Sequence, residues 1–133
     1  MIVVDASAMT ELLLGTPLGR RVEARVFRDD DELHAPHLMD AEVLRALRRI
    51  VLKKEATPER AEQALQDLVD FRIHRHEHFG FLFRAWQLRD NVAAYDAVYV
   101  ALAEALDATI VTCDGPLGGA PGLTVSIEVI RER

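Results

Sequence analysis

The chain has 133 residues, half of them hydrophobic, with 16 Lys and Arg against 22 Asp and Glu, a formal net charge of -6. That length supports one domain with its own core, residues 1–133, and the 7 Gly and 5 Pro are too few for a disordered or collagen-like chain. The single cysteine, Cys113, excludes a disulfide framework and a Cys-rich zinc module, and the acidic balance argues against binding nucleic acid through bulk positive charge.

In chain order, Ile2-Val3-Val4 reads as a buried strand stopped by Asp5. Ser7 is placed to cap a helix through Leu14, which Gly15 ends. A second helix is expected from Pro17 to Phe27, then an acidic loop and a weak strand at Leu33–Ala35. Pro36 opens the longest helix, to about Lys54, with Leu44, Leu47, Ile50 and Val51 on the 3.6-residue period. Thr57-Pro58-Glu59 supplies a cap, an N1 proline and a first-turn acid for the next helix. Arg72–His76 is a candidate strand and Phe79–Leu88 a helix. An alanine-rich helix over Ala94–Leu106 precedes the buried strand Thr109–Thr112, a turn at Asp114-Gly115-Pro116 and a last strand within Thr124–Ile130. Strands alternating with helices imply an α/β fold, a mostly parallel central sheet flanked by helices in three layers. No cationic segment precedes the first strand. The most apolar stretch, Val92–Val111, carries Asp96, Glu104 and Asp107, too much charge to span lipid. A cytoplasmic protein with no membrane contact is expected.

On that outline Asp5 and Asp114 fall at the carboxyl ends of two strands, while Glu42 and Asp96 lie in the early turns of two helices. Ligands of open α/β sheets bind at those strand ends, so all four acids can meet at one edge. Two carboxylates about 6 Å apart at an effective dielectric of about 20 repel by roughly 3 kcal/mol. A hard divalent cation, Mg²⁺ or Mn²⁺, is the natural compensation, and oxygen-held ions of this kind suit phosphodiester hydrolysis.

The segments Ile2–Ala8 (IVVDASA), Asp40–Leu47 (DAEVLRAL), Tyr95–Ala103 (YDAVYVALA) and Val111–Leu117 (VTCDGPL) carry a resemblance. In order and spacing the chain resembles the PIN-domain ribonucleases, and within them the VapC-type toxins of bacterial toxin–antitoxin operons. The resemblance implies a parallel sheet with flanking helices and Mg²⁺- or Mn²⁺-dependent endonucleolytic cleavage of RNA. It implies Asp5, Glu42, Asp96 and Asp114 as the acidic site, with Asp5 and Asp96 holding the metal and Glu42 and Asp114 completing the shell or orienting water. Ser7, Asn91 and Thr112 match places where polar side chains surround that metal. The resemblance also implies a small VapB-like antitoxin partner and self-association as a homodimer.

Arg45, Arg49 and Lys53, spaced by four, line one helix face beginning beside Glu42 and are candidate RNA-backbone contacts. His74, His76 and His78 alternate as on one strand face and read as a polar surface in preference to a zinc site. Phe71, Phe79, Phe81, Phe83 and Trp86 concentrate aromatics for core packing or a dimer interface. Two other functions fit the same fold. A phosphotransferase using Asp5 as nucleophile would want a second Asp where Ser7 stands, or a late Lys, and no Lys follows Lys54. A non-catalytic binding module would have no use for four acids.

Overall fold

The computed structural model describes residues 1–132. Five strands alternate with helices: β1 (Ile2–Val4), α1 (Ala6–Leu14), α2 (Pro17–Phe27), β2 (Leu33–Pro36), α3 (Leu38–Leu52), α4 (Pro58–Asp70), β3 (His74–His76), a 3-10 turn (Phe79–Phe81), α5 (Leu82–Gln87), α6 (Ala94–Leu106), β4 (Thr109–Thr112), the short helical turn α7 (Gly115–Gly118) and β5 (Ile127–Val129). All neighbouring strands pair in parallel, in the order β3-β2-β1-β4-β5. The central strand β1 is buried throughout, which explains its unbroken β-branched run.

From β1 the chain steps outward through β2 to β3, then crosses back to β4 and β5 on the other side. Right-handed crossovers therefore put the helices on opposite faces before and after the return. On one face α1 packs against α2, α3 and α4; on the other α6 lies across β2, β1 and β4 with α5 behind it. The reversal leaves a crevice at the carboxyl ends of β1 and β4, where open α/β sheets bind ligands.

Local chemistry departs from the sequence expectations at several points. Asp5, not Ser7, caps α1, because its extended backbone (φ -90°, ψ 171°) lets the carboxylate accept from the Ala8 amide at 3.0 Å. Pro36 ends β2 instead of opening α3, since His37 N–H is drawn to the His76 carbonyl at 2.8 Å. The stripe of α3 that enters the core is Met39, Val43 and Leu47, whereas Leu44 remains 54% exposed. Gly115-Pro116 winds into a helical turn, and β5 keeps only Ile127–Val129 of the expected strand.

Candidate active site

Four carboxyl side chains gather at the crevice. Asp5 follows β1 directly and is 5% exposed. Its Oδ1 accepts from Ser7 Oγ at 2.7 Å and from the Ala8 amide, and the Thr112 hydroxyl donates to Oδ2. The same hydroxyls reach the neighbouring strand end: Ser7 Oγ accepts from the Cys113 amide at 3.0 Å, and Thr112 Oγ1 from the Asp114 amide at 2.8 Å. Ser7 and Thr112 thereby stitch the ends of β1 and β4 together and aim Asp5. Asp114 follows β4 after one residue, at the cap position of α7.

Glu42 projects from the second turn of α3 and Asp96 from the first turn of α6, both half-buried. Tyr99, one turn beyond Asp96 on the same face, donates its phenol hydrogen to Glu42 Oε1 at 2.6 Å. α3 is braced from the sheet by Arg75 of β3, which grips Asp40 through both oxygens at 2.7 and 3.0 Å.

The electrostatics record how near the acids lie. Burial pushes the Asp96 carboxyl up to about 6, reinforced by the charges of Asp114, Asp5 and Glu42. Burial also raises Asp5, outweighing its hydrogen bonds from Thr112, Ala8 and Ser7, with Asp114 adding to the rise. Glu42 is raised by burial and by Asp5, against the lowering effects of Tyr99 and Arg45. Such mutual opposition among carboxyls is what a cation relieves, and a donor set of carboxylates and hydroxyls fits a hard divalent ion. Among the described residues no group of three or more His, Cys, Asp or Glu is already arranged to hold a metal ion. The residues therefore suit such an ion in chemistry and charge.

The remaining candidates distribute differently. Asn91 lies in the turn before α6 with its amide nitrogen near Gly122, and it is hydrogen-bonded to none of the four acids. Arg45 and Arg49, joined by Arg48, line a groove of about 570 Å³ between α1 and α3 that also takes in Ser7, Glu42, Thr10 and Cys113. Lys53 sits at the far end of α3, outside that groove. Burial pushes the Cys113 thiol up to about 11, helped by Asp5 and Glu11, so it is protonated at neutral pH.

His74 and His76 face His34 of β2, which the sequence reading passed over. The His34 and His74 rings stack at 4.8 Å, and His34 Nδ1 meets His76 Nε2 at 2.8 Å. Tyr99 and His34 were missed for one reason: each owes its role to a neighbour distant in sequence, Glu42 and His76. The only local signal for Tyr99 was a hydroxyl set in an otherwise apolar helix, three residues after Asp96.

The PIN domain family matches residues 2–117. The chain is 44% identical over 130 residues to Ribonuclease VapC1 of Mycobacterium tuberculosis, covering 97% of each. Among solved structures it resembles VapC20 of Mycobacterium tuberculosis, a sarcin-ricin loop cleaving toxin, with a TM-score of 0.69 at 14% identity, covering 93% of this chain and 97% of that one. It superposes equally, TM-score 0.69 at 14% identity, on a chain of VapBC2 from Rickettsia felis bound to a promoter DNA fragment, covering 98% and 100%.

Proposed function

This chain belongs to the PIN-domain family, among its VapC-type ribonucleases, and on that premise we propose that it is the toxin of a toxin–antitoxin pair, an endoribonuclease that hydrolyses RNA phosphodiester bonds with Mg²⁺ or Mn²⁺. The observation that carries the reading is the meeting of Asp5, Glu42, Asp96 and Asp114 at the crevice between β1 and β4, where Asp96 responds to the charge of all three others.

Asp5 and Asp96 would hold the ion, and Glu42 and Asp114 would complete its surroundings. When bound, the ion supplies Lewis acidity toward the phosphodiester and compensates the carboxylate charge. Ser7 and Thr112 orient Asp5, and the Asp114 amide, held by Thr112, fixes the second strand end. Asn91 adds a polar side chain at the mouth of α6. The exposed guanidiniums of Arg45, Arg48 and Arg49 hold the RNA backbone along the α1–α3 groove, the local positive charge that an acidic protein needs, with Lys53 extending the stripe. A VapB-like antitoxin is the partner, and a second copy pairs through the aromatic face of α5. Residues 1–133 act as one domain in the cytoplasm, where the lone thiol of Cys113 remains reduced.

Purified protein freed of any partner should cleave RNA with Mg²⁺ or Mn²⁺ and stop on addition of EDTA. Asp5→Asn and Asp96→Asn should each lower the rate by about 100-fold or more while leaving the circular dichroism spectrum unchanged. Cleavage that persists in EDTA, or that survives both substitutions, would overturn the reading.

A further inference from the structure

Tyr99 is buried in the middle of α6, 1% exposed, in a helix whose residues from Ala97 to Ala103 are all buried. A phenylalanine would fill the same volume without the cost of burying a hydroxyl. The hydroxyl has a specific use: it donates to Glu42 Oε1 at 2.6 Å across the space between α6 and α3. That bond ties α6, which carries Asp96, to the side chain of α3 that completes the acidic crevice. Tyr99 also shares a helix face with Asp96, three residues earlier.

We infer that Tyr99 is a positioning residue that holds Glu42 in the orientation needed to engage a divalent cation, an inference resting on the four-acid reading above. The physical reason is the reach of Glu42. It enters the crevice from a helix on the opposite face of the sheet from α6, and an unrestrained glutamate has three side-chain torsions to settle. One Oε is pinned by Tyr99 at 2.6 Å, which leaves the other outside that bond. The phenol hydrogen donates and the carboxylate oxygen accepts, so the bond fixes one Glu42 oxygen relative to α6.

Tyr99→Phe removes only the hydroxyl. Titrating Mn²⁺ into RNA-free protein by calorimetry, we expect affinity about tenfold weaker than wild type, with kcat falling by a similar factor and KM for RNA changing by less than about twofold. Combined with Glu42→Ala, Tyr99→Phe should cost no further Mn²⁺ affinity, because the tyrosine acts only through that glutamate. Mn²⁺ affinity within about twofold of wild type, or an equal loss in the Glu42→Ala background, would overturn the assignment. If Asp5→Asn and Asp96→Asn lose Mn²⁺ while Tyr99→Phe does not, the four-acid reading stands and this inference alone fails. Absence of Mn²⁺ binding by wild type would sink both. A measurement without substitution uses wild-type protein carrying ¹³Cζ-tyrosine: the Tyr99 resonance should move saturably with Mg²⁺, and one that stays fixed while Mg²⁺ binds would refute the coupling.

Discussion

At the scale of single residues, the crevice is a contest between burial and hydrogen bonding that burial wins. Asp5 receives three hydrogen bonds, each favouring its ionised form, yet burial still raises its pKa and makes it a weaker acid. Asp96, with no hydrogen-bond donor recorded, rises from 3.8 to about 6. A carboxyl whose folded value exceeds its unfolded one binds protons more tightly in the native state. Its stabilising effect is complete below pH 3.8 and is lost as pH climbs through about 6. The metal-free protein should therefore lose stability between those values, and Asp96→Asn should flatten that slope. At pH 7 the substitution should raise the melting midpoint by roughly 3–6 °C for about 1 kcal/mol relieved, a figure discounted for partial exposure. Thermal melts in EDTA across pH 4–7 test this; a steeper decline in Asp96→Asn would contradict it. Asp5 and Asp96 could be picked out from sequence because each stands at the edge of an apolar element. The Tyr99–Glu42 bond could not, since it joins residues 57 positions apart.

At the scale of elements, α1 and α2 approach so closely that a Cβ on Gly19 would lie 1.9 Å from the Glu11 carbonyl oxygen. Backbone cannot yield there as a flexible side chain would. Gly19→Ala should therefore cost more than about 2 kcal/mol in urea unfolding, and a neutral result would show that the helices separate freely. Thr16 caps α2 through the Gly19 amide at 2.9 Å, so the glycine serves both the cap and the crossing. The alanine-rich sequence of α6 follows from its position: it is covered by the sheet on one side and by α5 on the other, and every residue from Ala97 to Ala103 is buried. Periodicity located α3 and drew Leu47 and Val51 toward the core, but it missed Met39 and Val43 and included the exposed Leu44. Leu44, Leu47, Val51 and Leu52 line a shallow apolar groove with α4, so the period there records a helix–helix contact as well as the core.

At the scale of the whole molecule, the 3-2-1-4-5 strand order creates the site, because it turns the chain back at β1 and leaves Asp5 and Asp114 facing across the reversal. It also leaves α5 and the 3-10 turn before it on the outside, where Phe79 of the turn and Phe83 and Trp86 of α5 are 80%, 86% and 65% exposed. That much aromatic surface on a chain this small fits burial against a second copy. Phe83→Glu with Trp86→Glu should convert a dimer to a monomer in light scattering, while both residues stay clear of the four acids; wild-type protein that is already monomeric at micromolar concentration would refute the dimer. No described helix is long and apolar enough to cross a membrane. Sequence alone determined the alternation of strands and helices, the parallel sheet and the acids to watch, because these depend on period, caps and residue type within a few positions. Tertiary structure decided which helix face meets the core, that Ser7 is drawn to the Cys113 amide while Asp5 caps α1, and that Tyr99 reaches Glu42. Those contacts depend on how distant segments pack, and local pattern carries no information about a partner that arrives from elsewhere in the chain.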